Sequence, residues 1–102
     1  MTAGRAEQAR KLRETVSLAF HGVIEANAEE DLRSKAAAEK AKAARNSLSA
    51  RAGDLATAEH ALIASNVAAS QSGQAAVRAY FARLAFKDAL DALEAFAAGG
   101  ES

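Results

Sequence analysis

The sequence predicts an all-α protein: a long antiparallel helical hairpin with its turn near Gly53, dimerising into a four-helix bundle. Three observations predict it. Ala, Glu, Arg, Lys, Leu and Gln fill the chain and Pro is absent, so helix propensity is high and nothing forbids long helices. Strand-like alternation is absent. The strongest break, Arg51-Ala52-Gly53-Asp54-Leu55, divides the 102 residues almost evenly. There Gly53 suits the left-handed position after one helix, and Asp54 suits the cap of the next.

The first arm runs from residue 5 to 52 and the second from 54 to 98. An antiparallel pair with its tip at 53 sets residue i opposite about 107 − i. Val16, Phe20 and Val23 then face Phe86, Leu90 and Leu93, both sets spaced four and three. Charges agree in sign. Arg13 falls near Glu94, and Arg78 falls near Glu29 and Glu30. Residues 33 to 47 hold no large apolar side chain, so Ala37, Ala41 and Ala44 carry the seam, facing Leu62, Ile63 and Val67. Leu48, Leu55 and Leu62, spaced by seven, extend the stripe past the tip. Asn66, one turn beyond Leu62, is a candidate register-setting polar residue. Gly99-Gly100 ends the second arm, and residues 99–102 read as a flexible tail on a single domain spanning 1–102.

Weaker breaks give an alternative. Asn27-Ala28-Glu29-Glu30 has the form of a capping box, and Ser70-Gln71-Ser72-Gly73-Gln74 is a possible turn. Breaks near Asn27, Gly53 and Gly73 would make a compact three- or four-helix bundle. The second arm favours pairing with another copy, because it carries two stripes. Val77, Tyr80, Phe81 and Leu84 lie on one side, while Phe86, Leu90, Leu93 and Phe96 lie roughly opposite. The expected interface is therefore Val16, Phe20, Val23, Val77, Phe81, Leu84, Phe86, Leu90 and Leu93.

Composition limits function. Half the residues are hydrophobic, but 30 are Ala and only 21 are larger, which allows a thin core. With no Cys, disulfides, thiolate metal sites and a cysteine nucleophile are excluded. Thirteen basic and 13 acidic side chains cancel. No Gly-rich phosphate loop, His-Glu-x-x-His or Glu-x-x-His is present. His21 and His60 read as boundary histidines, since the Lys and Gly expected after a phosphotransfer histidine are missing. Asp88, Asp91 and Glu94 read as a solvated acidic face rather than an acid/base or cation site. The basic run Arg33, Lys35, Lys40, Lys42, Arg45 and Arg51 scatters around its helix without interleaved aromatics, so nucleic acid is not the favoured partner.

A helical hairpin of this length resembles, in architecture, secreted hairpins of the Trp-x-Gly type. Arg51-Ala52-Gly53 stands where that motif would be, and Leu84 stands where the acid of the Tyr80 export signal would be, so the family is not carried over. The expectation is a non-enzymatic helical assembly protein without cofactor or metal. It would form a homodimer or higher homo-oligomer and dock on a larger bacterial or phage complex. No membrane span or leader is visible, and the expected location is cytoplasmic. At the tip, Gly53→Val should cost about 1 kcal/mol or more in urea unfolding, because β-branched residues fit the left-handed region poorly. A stabilised variant would mean a helix running straight through 53.

Overall fold

The computed structural model describes residues 2–49 and 54–99, which form two helices. Helix α1 spans Thr2–Ser49 and helix α2 spans Leu55–Gly99. Among the described residues there is no strand. The conformation of Gly53 lies outside the described residues, but the start of α2 is as expected. The Asp54 side chain accepts the Ala56 N–H at 3.2 Å, and its carbonyl accepts the Ala58 N–H at 3.1 Å, which begins the helical ladder.

The alternative bundle is overturned, because α1 is unbroken at Asn27 and α2 is unbroken at Gly73. Each residue costs a helix interior no more than about 1 kcal/mol relative to Ala. The Ala, Glu and Gln around them outweigh that. Gly73 has φ in the ordinary negative range and an open space where a Cβ would sit.

The chain divides into two compact units. The first joins Met1–Ala26 to Arg78–Ser102, and the second is Asn27–Val77. In the first unit the covered positions of α1 include Ala9, Leu12, Val16, Ala19, Val23 and Ala26, at alternating spacings of three and four, with Gly22 beside them. Those of α2 include the same spacing in Ala79, Ala82, Phe86, Ala89, Leu93 and Phe96, with Leu90 beside them. This is the heptad rhythm of a coiled coil. Antiparallel matching of the two series sets Leu12 level with Leu93, Val16 with Ala89, Ala19 with Phe86 and Val23 with Ala82. A large side chain thus mostly meets a small one, so the helices interdigitate without a thick core. The Phe20 and Phe86 rings touch, with centroids 5.4 Å apart and tilted by 40°. The expected register sets Phe20 opposite position 87, within one residue of this contact.

In the second unit the seam is almost wholly small. Ala44, Ala58, Ala68 and Ala75 are buried, and Ala37, Ala41, Ser47, Ala61, Ser65 and Ser72 are half-buried around them. Ala37, Ala41 and Ala44 carry the α1 side as expected. The expected facing residues are a correction, because Leu62, Ile63 and Val67 are exposed. The helix presents its Ala/Ser phase to α1 because small facing small lets two backbones approach and gain dispersion contacts. Leu48 and Leu55, also expected in that stripe, are exposed as well. Their spacing of seven carries no meaning across a turn, where helical phase is reset.

Among the described residues the six buried hydrophobic ones are all alanines, and Ala79 is 0% exposed. Replacement by a bulkier side chain would push the axes apart. Ala79→Leu should therefore lower the urea-unfolding free energy by about 1–3 kcal/mol. Ala85→Leu, at an exposed position, should leave it nearly unchanged.

Candidate interaction surface

In the first unit, α2 turns Tyr80, Phe81 and Leu84 outward. They lie at one-turn spacing, with Phe81 61% and Leu84 38% exposed. The rings of Tyr80 and Phe81 meet edge to face at 5.5 Å. Among the described residues nothing covers this group, because Phe86, Leu90, Leu93 and Phe96 occupy the side of α2 that meets α1. In the second unit, Ile63, Val67 and Val77 are exposed on the same helix. A shallow hollow of about 420 Å³ is lined there by Leu62, Ile63, Ser65, Asn66 and Ala69. All five residues belong to α2, so the hollow is a dent in one helix surface. Asn66 lies on this exposed side and outside the α1–α2 seam.

The nine residues expected at an interface therefore separate. Val16, Val23, Phe86, Leu90 and Leu93 are half-buried in the first unit's seam, and Phe20 stands at its edge against Phe86. Val77, Phe81 and Leu84 form the outward group. Leu18, Ile24 and Leu32 are exposed on α1 as scattered side chains, which is ordinary for a protein surface.

Several charged residues pair within their own helices. Arg10 donates to Glu7 and, at 2.8 Å, to Glu14. The Glu7 hydrogen bond, with the Glu14 charge beside it, raises the Arg10 pKa above its ordinary value. Lys87 reaches Asp91 at 3.2 Å, and Arg33 reaches Glu29 at 3.8 Å. Among the described residues no ion pair joins Arg13 to Glu94. Such exposed pairs contribute little, so apolar packing sets the register and charge follows it. Across the second unit, Arg33 also donates to Gln71 at 3.5 Å. Lys35, Lys40, Lys42 and Arg45 are exposed, while Arg51 lies outside the described residues. His21 and His60 are exposed too. Asp88, Asp91 and Glu94 do not converge, and among the described residues no group of three His, Cys, Asp or Glu is placed to hold a metal ion. Among the described residues no helix is long and apolar enough to cross a membrane.

One contact does not follow from apolar spacing or charge matching. Arg5 lies over the Phe96 ring, 4.3 Å from its centroid, and donates to the Phe96 carbonyl at 3.0 Å. It ties the start of α1 to the last turns of α2. A basic residue near one terminus and an aromatic near the other was the available signal. Comparison with family models, curated proteins and solved structures finds no match to this chain. Arg5→Ala should cost about 0.5–1 kcal/mol by loss of the cation–π contact. Amide exchange near Phe96 should speed up, while exchange in the second unit stays as it was.

Proposed function

We propose that the protein is a non-enzymatic helical assembly protein that works by self-association through the outer face of α2. The observation that carries this reading is an inversion of the usual burial pattern. The buried positions are alanines, while Phe81, Tyr80, Leu84 and Val77 stand in water. A buried Ala methyl contributes about 0.8 kcal/mol, whereas a large aliphatic or aromatic side chain left in solvent forgoes about 1.5–3 kcal/mol. Domain stability totals only about 5–15 kcal/mol, so four such side chains on one side are a large fraction of it. Contiguous apolar surface on a soluble helix marks an interaction site, in contrast to scattered leucines. Helical bundles meet this need by covering one hairpin's outer face with another.

The experiment is light scattering at micromolar concentration. The wild-type chain should have at least twice the mass of one chain, and Phe81→Asp should lower that mass or abolish cooperative melting. A well-folded wild-type monomer, melting cooperatively and unaffected in mass by Phe81→Asp, would falsify the reading.

A further inference from the structure

We infer that the occupant of the outer face is the same face of a second copy, packed antiparallel, with the two-fold axis passing beside Gly73. The inference rests on the self-association reading and adds the partner, its direction and its register. Helix α2 is continuous from Leu55 to Gly99, so its outward positions can be followed by helical phase alone. They recur at spacings of four and three as Ile63, Val67, Ser70, Gln74, Val77, Phe81 and Leu84. This is a second heptad stripe, distinct from the alanine seam that faces α1. It is apolar at both ends and polar in the middle, so it reads similarly in either direction.

That symmetry fixes the pairing. With the axis level with residue 72 in the stripe, beside Gly73 on its flank, Ile63 packs on the partner's Phe81 and Val67 packs on the partner's Val77. Ser70 meets the partner's Gln74, hydroxyl to amide. On the flank, Glu59 comes beside the partner's Lys87, and Asn66 comes beside the partner's Tyr80. These matches join like polarity or opposite charge, and at the end of the stripe Leu84 meets the partner's His60. A slip of one heptad in one direction sets Ile63 against the partner's Asp88. The opposite slip sets it against the partner's Gln74. A parallel pair would bring Lys87 level with the partner's Lys87 and Glu59 level with the partner's Glu59, forgoing both charge matches. Lys87 holds Asp91 within its own helix, but that pair is exposed and leaves the ammonium open to a second carboxylate.

Gly73 supports the same axis. Glycine weakens a helix interior relative to Ala. Within its own chain Gly73 is exposed and a Cβ there would meet nothing within 4 Å, so no contact in the chain requires its smallness. At a two-fold axis between crossing helices, that missing side chain lets the backbones approach.

The chain contains no cysteine, so introduced thiols report proximity without background. Gly73→Cys should form a covalent dimer under mild oxidation or with a short bismaleimide. Glu59→Cys and Lys87→Cys chains should cross-link severalfold better when mixed than either does alone. Glu59→Lys should shift the dimer toward monomer at low salt, and adding Lys87→Glu in the same chain should restore it. If Gly73→Cys disrupts assembly, the mixed cross-link and the charge swap still decide the register. A wild-type dimer that shows neither the mixed cross-link nor charge rescue overturns the antiparallel register and leaves self-association standing. A monomeric wild type overturns both.

Discussion

Alanine packed against alanine is the constraint on which the rest of this structure depends. A seam of methyl groups lets two helices lie close, and closeness supplies dispersion contacts that a thin core otherwise lacks. It also fixes which side of each helix faces in. Once Ala58, Ala68, Ala75, Ala79 and Ala89 are buried, phase alone sends Ile63, Val67, Val77 and Phe81 outward. The exposed apolar face of α2 is thus a geometrical consequence of the seam.

The two compact units use this seam differently. In the first, large residues are set into the small series: Leu12, Val16 and Val23 on α1, with Phe86, Leu93 and Phe96 on α2. Burial there is worth more per layer, and the Phe20–Phe86 and Arg5–Phe96 contacts add to it. In the second unit, Ala37, Ala41 and Ala44 meet Ala and Ser, and apolar transfer contributes less per layer. Helix propensity must carry a larger share of the stability there, which fits a stretch as rich in Ala, Lys and Glu as residues 35–45.

The helical class, the cap at Asp54 and the facing of Phe20 toward Phe86 were legible in the sequence, because each follows from local propensity or from spacing within one helix. The side of α2 that meets α1 near the tip was not. Weighting by hydrophobicity selects Leu62, Ile63 and Val67, whereas the structure selects their small neighbours. The signal that would have found them is present. Ala61, Ala68, Ala75, Ala82 and Ala89 repeat at a spacing of seven without exception. Alanine is so frequent elsewhere in the chain that this regularity is easily passed over. Extending the Leu55–Leu62 spacing back to Leu48 failed for a different reason, since a heptad cannot be counted through a turn. The weaker breaks of the alternative fold, Asn27 and Gly73, do not interrupt their helices, because a residue that lowers helix propensity does not end a helix whose neighbours on both sides favour it.

The outward side chains also constrain what kind of function is reasonable. The described charged residues lie on the surface, and none is buried. In the proposed assembly, specificity comes from shape and pattern along a helix. A stripe that is apolar, then polar, then apolar supplies that pattern, because an apolar stripe alone would pair in any register and a polar one alone would not pair. In the proposed antiparallel pair, Ser70, Gly73 and Gln74 at its centre give up apolar area in exchange for a unique alignment.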